Sequence, residues 1–463
     1  MNETSQPLTR LVATFCHELS FKKIPPEVVR AAKHHTLDAL GVGLAAASLN
    51  LPQQIEKVLP RFGSGEDSTV FGFAEMRPPP SAAFLNGTLI HSLEYDDTHI
   101  ASVIHGSSAI VPTALAIAES EGLSGQDFIR SIVIGWEFLI RLGLAAPGMF
   151  QANGFQTTAV CGPFATALIS SALFHLDVGR TVNAMGIAGS QCSGVFEYLS
   201  DGSTVKALHP GWAAHSGIIA SYLARGGMTG PATILEGRFG LFNTYARTDS
   251  AADRLRELLR GLGTVWYLPE VALKTFPCCH YIHSFLECLQ NLIDDGLSAN
   301  EIESIQCSVP IEEVPIICEP WERKLRPASG YEAKFSLPYC LATLLIDQEV
   351  NVSTFDRDSL KENVLAMAKK VSYTPLTGTD FPKRFPGSLE VRGKSGRTLS
   401  SAVADVKGSP GRPLTQEEVR HKFETNAMRR LSPQAVASLL AEFDRLEEKP
   451  NLKLLSETLR SLA

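Results

Sequence analysis

From Leu8 to about Leu268, apolar residues recur at spacings of three and four, and Ala, Gly and Ser fill many positions between them, as in Gly41-Val-Gly-Leu-Ala-Ala-Ala-Ser48. A 3.6-residue period demands helices, and side chains this small let helix axes approach closely, so this stretch can only become a rigid, tightly packed helical body. Pro25-Pro26-Glu27 opens one helix, with Val28, Val29, Ala32, Leu37, Leu40 and Leu44 on its stripe. Proline suits the first turn because the N–H it lacks there has no partner anyway. Further helices are expected over 82–95, 109–120, 124–144, 160–174 and 213–223, with Ser124 and Asp127 forming a cap.

The texture changes near residue 270. Ile282, Phe285, Leu286, Leu289, Leu292 and Ile293 form a helical stripe stopped by Gly296, and Ile305, Cys307 and Val309 then alternate as a strand does. Val350–Val352 reads as a weaker strand, 389–399 as a hairpin, and 403–406 as its continuation. Past Gly408-Ser-Pro-Gly-Arg-Pro413 the pattern is helical again, opened by a capping box of Thr415 and Glu418 and followed by helices over 432–446 and 451–462. The expected fold class is mainly α. A large all-helical domain spans 1–268 and is completed by 409–463, and a smaller α+β lid domain occupies 269–408.

A net charge of -7 over 463 residues, with no run of five or six basic residues, argues against nucleic acid or an anionic membrane as partner. The nine cysteines are odd in number and lack C-x-x-C spacing, which indicates reduced thiols rather than a disulfide framework or zinc ribbon. No basic, apolar leader opens the chain and no stretch of about 18 apolar residues occurs, so the expected location is the cytoplasm.

Chemistry concentrates in His91-Ser-Leu-Glu-Tyr-Asp-Asp-Thr-His-Ile-Ala-Ser-Val-Ile-His105-Gly, between two apolar runs. Glu94, Asp96, Asp97, His99 and His105 fall close together there, and carboxylates crowded in a partly buried place raise one another's pKa. An acid–base site fits this better than a solvated helix end. A metal site is the competing reading, but on a helix Asp96 and Asp97 point apart and no two strong ligands stand at i, i+4. Lys206 and His209 precede the 213–223 helix, where unpaired N–H groups favour an anion; the plainer reading is a solvated lysine and a turn-capping histidine. Partial burial would lower a lysine's pKa and suit proton transfer or carboxylate binding. In Cys278-Cys279-His280 a thiolate nucleophile or half a metal site lacks supporting spacing, which leaves His280 for proton transfer or carboxylate binding. Tyr339 reads equally as a core aromatic. Gly226-Gly-Met-Thr-Gly230 is no phosphate loop.

Together, His91–Thr98 with His105-Gly, Gly135-Trp-Glu137 with Arg141, Lys206-Ala-Leu-His-Pro-Gly-Trp-Ala-Ala-His215, Lys274-Thr-Phe-Pro-Cys-Cys-His280 and Ala333-Lys-Phe-Ser-Leu-Pro-Tyr339 resemble the MmgE/PrpD family. That family includes 2-methylcitrate dehydratase, cis-aconitate decarboxylase and iminodisuccinate epimerase. The resemblance implies a helical domain built from both chain ends, an α+β lid, a cleft between them, a homodimer, a small anionic di- or tricarboxylate substrate and no cofactor. Its functional positions fall on Glu94, where Asp is usual, and on Thr98, His105, Lys206, His280 and Tyr339. Where decarboxylase and dehydratase members carry histidine after Gly-aromatic, this chain reads Gly154-Phe155-Gln156. Glutamine can hydrogen-bond a carboxylate but cannot shuttle a proton near neutral pH.

Chemistry of this kind needs a base, a proton donor and fixed positive charge. The expected assignment makes His105 or Lys206 the base, with the other or Tyr339 supplying the proton. Asp96 and Asp97 orient His105. Glu94, Thr98, Arg141, Gln156, His209 and His280 bind substrate, and no metal is used. Dehydration, decarboxylation and epimerisation share this scaffold. A metal-dependent enzyme using Glu94, Asp96, Asp97 and His99 and a catalytically silent relative are the other classes.

Overall fold

The computed structural model describes residues 6–355 and 360–460. The expected N-terminal leader-free segment therefore lies largely outside them, as does the end of the 451–462 helix. Two hydrophobic cores organise the chain. One gathers residues from Leu8 to Leu273, Val352, and again from Val419 to Leu459; the other gathers residues from Cys278 to Val406. Among the described residues no helix is long and apolar enough to cross a membrane.

The helical body is built around Pro26–Ala46, Pro79–Ser92, Ser107–Ser120, Gly125–Ala145, Thr157–Leu173 and His209–Arg225. Small residues set the helix spacing. A side chain at Gly41 would touch Phe423 at 3.0 Å, and one at Gly87 would lie 2.6 Å from the Cα of Gly211. Ser124 accepts from the Asp127 N–H as a cap, and Thr415 and Glu418 form the reciprocal capping box that opens Gln416–Ala427.

That last helix packs against Pro26–Ala46 and sends Lys422 into the body. The Lys422 ammonium lies 2.7 Å from Asp38, donates to the Tyr95 carbonyl at 3.0 Å and sits 3.8 Å above the Tyr95 ring. Burying one charge without its partner is costly, so Lys422→Met alone is expected to destabilise by about 3–5 kcal/mol, with Lys422→Met/Asp38→Leu recovering part of the loss. Denaturant melts of the single and double variants check this, and additive losses would refute it.

The second core is a four-stranded sheet covered by helices, including His283–Asp294 and Leu337–Asp347. The strands are β1 (Ile302–Pro310), β2 (Val371–Leu376), β3 (Gly387–Gly393) and β4 (Thr398–Val403), in the order β2-β1-β3-β4. β1 runs parallel to β2, with Ile305 opposite Val371, and antiparallel to β3, with Cys307 opposite Leu389. Ile305, Cys307 and Val309 are buried on one face, as their alternation requires.

Two expectations about elements are corrected, and one strand, β2, is not among those expected. Residues 350–352 form no strand, because Asn351 caps a short 3-10 turn, Val352–Thr354. β2 carries Pro375, which a sheet tolerates only at an edge, and it lacks a strand's apolar alternation. Residues 404–406 do not extend β4, which ends at Val403.

Candidate active site

The Pro79–Ser92 helix ends just before the acidic stretch, so Glu94 through Asp97 occupy a turn rather than a helix. Glu94 adopts φ +55°, a left-handed conformation that costs a non-glycine residue about 1–3 kcal/mol and is held only where surroundings enforce it. Here they do. Lys274 donates to the Glu94 carbonyl at 2.8 Å, and Lys334 donates to the Ser92 carbonyl at 2.9 Å. The turn reaches its geometry through lysines that begin and cover the second core.

Between the two cores lies a cavity of about 100 Å³ lined by Glu94, Thr98, His105, Gln156, Lys206, Lys274, His280, Tyr281 and Phe335, among others. Lys206 stands in a 3-10 turn, Thr204–Leu208, and His209 is the first residue of the following helix rather than part of the loop before it. The Lys206 ammonium donates to Glu94 Oε1 at 2.5 Å and lies 4.9 Å from the Phe335 ring centre. Burial alone would raise the Glu94 carboxyl, but Lys206, His91 and Lys274 outweigh it and hold the group at about 2. Burial pushes His105 down to about 3 despite the carboxylate of Asp96, and it drives His280 far below the usual histidine range. Neither ring nitrogen of His280 has a hydrogen-bond partner among the described residues.

His105 has a determined tautomer. Its Nδ1 is 3.0 Å from the Asp97 carbonyl, which only accepts, so Nδ1 carries the hydrogen and Nε2 holds a lone pair. Thr98 Oγ1 touches the same nitrogen at 3.1 Å.

The two aspartates stand behind the cavity. Asp96 accepts from His91 Nδ1 at 2.7 Å and lies 4.0 Å from His105 Nδ1. Burial would raise its carboxyl too, but His91, His105 and Lys274 hold it below the usual range. Asp97 turns the other way, taking His35 Nδ1 at 2.8 Å and the Ser107 hydroxyl at 2.6 Å. Its side chain braces the loop, and only its carbonyl serves His105.

Three further expected residues lie off the cavity: Arg141, Tyr339, and His209, which reaches it only through Gln156. Arg141 is fully buried in the helical body, donating to Glu137, to the Leu258 carbonyl at 3.1 Å and to the Val265 carbonyl at 2.7 Å, and it does not line the cavity. Tyr339 is buried in the second core on the Leu337–Asp347 helix and does not line the cavity either. The tyrosine that reaches Glu94 is Tyr331, with its hydroxyl 3.5 Å from Oε1. Tyr331, Lys274 and His91 carry no recognisable catalytic spacing of their own. Lys274 and His91 do open the motifs quoted above, which is the one signal that could have singled them out.

The carboxylate cluster expected for a metal enzyme does not assemble. His99 Nδ1 pairs with Ser102 at 2.7 Å and Asp97 faces His35, so neither joins Asp96. Among the described residues, the one group of three or more potential ligands is His91, Asp96 and His105, with ligand atoms within 4.8 Å of one another. Those Nδ1 atoms carry hydrogens for Asp96 and the Asp97 carbonyl, so a cation there would have to displace both.

Buried neutral histidines make the fold acid-sensitive. His99 is held at about 4 and His105 at about 3 by burial, and His280 and His283 lie further below their ordinary value. Because each folded value is depressed, the unfolded chain binds more protons below about pH 6.5, and each group then removes about 1.4 kcal/mol of stability per pH unit until its folded value is reached. The melting temperature is expected to fall steeply from about pH 7 to about pH 5. A flat profile in that window would refute this account.

Comparison with known proteins agrees with these motifs. Residues 10–253 match the MmgE/PrpD N-terminal domain and residues 276–448 the MmgE/PrpD C-terminal domain. A cis-aconitate decarboxylase-like protein of Aspergillus oryzae is 28% identical over 98% of this chain and 96% of its own length. The cis-aconitate decarboxylase of Aspergillus terreus is 26% identical over 97% of each. The cis-aconitate decarboxylase of Homo sapiens is 28% identical over 98% of this chain and 94% of its own length. With both domain models matched in order along a two-core chain whose motifs meet at one cavity, the protein belongs to the MmgE/PrpD family.

Proposed function

We propose that this protein is a lyase that makes and breaks bonds next to a carboxylate of a small di- or tricarboxylate without a cofactor. The observation that carries the reading is the His105 ring: unprotonated, with its Nε2 lone pair free of the Asp97 contact, on the same cavity as the ammonium groups of Lys206 and Lys274. A base and fixed positive charge facing one cavity are what a carbon acid requires.

In a dehydration, His105 Nε2 takes the proton α to a carboxylate, the electron pair moves into the new double bond, and Lys206 protonates the departing hydroxide. In a decarboxylation, the C–C bond to a carboxylate breaks, carbon dioxide leaves, and Lys206 delivers a proton to the carbanion. Lys274 and His280 hold the remaining carboxylates. The identified relatives favour decarboxylation and make cis-aconitate the first substrate to offer. Epimerisation of an iminodicarboxylate is the second reading, favoured by Gln156 at a position where dehydratase and decarboxylase members carry histidine.

Proton NMR of chelator-treated protein in deuterated buffer tests this, with cis-aconitate, 2-methylcitrate and iminodisuccinate in separate samples. Release of carbon dioxide or water identifies the lyase and its substrate. Deuterium entering an unchanged skeleton selects epimerisation, and loss of activity on chelation restores the metal reading.

A further inference from the structure

Gln156 joins two histidines. It stands before the Thr157–Leu173 helix, 5% exposed, with its amide nitrogen 3.2 Å from His91 Nε2 and its amide oxygen 2.8 Å from His209 Nδ1. On the far side of His91 the ionised Asp96 accepts from Nδ1 at 2.7 Å. The sequence of partners is thus carboxylate, imidazole, amide, imidazole.

Each link restricts the next. Asp96 only accepts, so His91 Nδ1 carries a hydrogen, and in the neutral ring Nε2 is a bare acceptor facing the amide N–H. The amide oxygen only accepts, so His209 Nδ1 also carries its hydrogen. Burial keeps His209 unprotonated, at about 4, so its Nε2 is bare as well. Rotating the amide by half a turn demands the opposite set. The oxygen then faces His91 Nε2, which must be protonated, and the NH₂ faces His209 Nδ1, which must be bare, leaving the His209 hydrogen on Nε2.

We propose that Gln156 is a positioning residue that ties the charge of His91 to the tautomer of His209. In one register both rings are neutral and carry hydrogen on Nδ1. In the other His91 has gained a proton from the medium and His209 has exchanged its Nδ1 hydrogen for one on Nε2, remaining neutral. The charged and titratable groups facing His91 are Asp96, Glu94, His105 and His209, and those facing His209 are His91, Lys206 and the Tyr198 ring. A histidine at position 156 could accept or release a proton itself; the amide can only reorient, so it transmits the protonation state without storing a proton. The proposal rests on the reading of this cavity as an acid–base site, but its test does not need a substrate.

The full-length protein labelled with ¹⁵N-histidine is compared with Gln156→Glu and Gln156→Met by long-range proton–nitrogen NMR across a pH series. The wild type is expected to show one register at a time: either Nδ1–H tautomers on both rings, or a doubly protonated His91 beside a His209 that carries its hydrogen on Nε2. Glutamate accepts from both rings, so Gln156→Glu should charge His91 and raise its titration midpoint by about 1–3 pH units while His209 keeps its Nδ1 hydrogen. Gln156→Met, which cannot accept through an oxygen, should leave His209 in a mixture of tautomers. An unmoved His91 midpoint in the first variant, or an unmixed His209 in the second, overturns the proposal. Turnover on whichever substrate proves active should show the acid limb of its pH profile displaced in Gln156→Glu by the same amount as the His91 midpoint. A displacement seen by NMR with no turnover at all would leave the hydrogen-bond role standing and reject the lyase reading.

Discussion

Lys206→Ala is expected to lower kcat/KM by about three orders of magnitude or more, because the proposed mechanism assigns to one side chain both a transferable proton and charge stabilisation, each commonly worth 10²-fold or more. The variant also leaves Glu94 without the ammonium 2.5 Å away, although Lys274 still lies 3.9 Å from its other oxygen. Part of the effect could therefore be structural. Lys206→Ala/Glu94→Gln separates the two causes: it removes the stranded carboxylate and should restore thermal stability without restoring turnover. Lys206→Arg keeps the positive charge but is too basic to give up a proton readily, so it should retain binding and lose kcat. If Lys206→Ala keeps more than about a tenth of wild-type kcat/KM, the lysine performs neither role.

Gly211→Val should prevent the protein from accumulating in folded form. A Cβ at Gly211 falls on the carbonyl oxygen of Phe84 and within 2.8 Å of Thr88 Oγ1, while one at Gly87 falls 2.8 Å from the Gly211 nitrogen. The obstruction is backbone on both sides, so no rotamer change relieves it. Separating the Pro79–Ser92 and His209–Arg225 helices would disturb the packing around both and pull the Lys206 turn from the Glu94 turn. A loss of about 4 kcal/mol or more is expected, beyond ordinary overpacking. Soluble yield and a denaturant melt measure it, and a variant within about 1 kcal/mol of wild type would show that these helices can slide apart without loss.

The helical body was legible because its stripes, caps and small-residue contacts are local: the Thr415–Glu418 box and the Pro26 start need no tertiary information. β2 was not legible because its strand character comes from pairing with β1, which lies about sixty residues earlier in the chain. Within the site, motif resemblance drew attention to Glu94, His105, Lys206 and His280, all of which line one cavity. It also singled out Tyr339 and Arg141, which do not line that cavity, for a physical reason. A buried aromatic or a buried guanidinium looks the same in sequence whether it serves a core or a ligand, and only the partners distinguish them. Glu94 was also assigned to a helix, since nothing local announces a left-handed residue that Lys274 stabilises from 180 positions away.

The helical body closes with a segment made after the second core. Gln416–Ala427 supplies Phe423 to the surface of Gly41 and Lys422 to Asp38 and Tyr95, yet the whole second core is synthesised in between. At ordinary elongation rates, the nascent N-terminal helices wait roughly 10–30 s with that groove open and Asp38 uncompensated. The sheet-containing core, continuous in the chain, can form during this interval. A growing chain therefore passes through a stage with a finished cover and an unfinished base, in which Lys274 and Lys334 can already hold the site loop while Lys422, the donor to its Tyr95 carbonyl, has yet to be made.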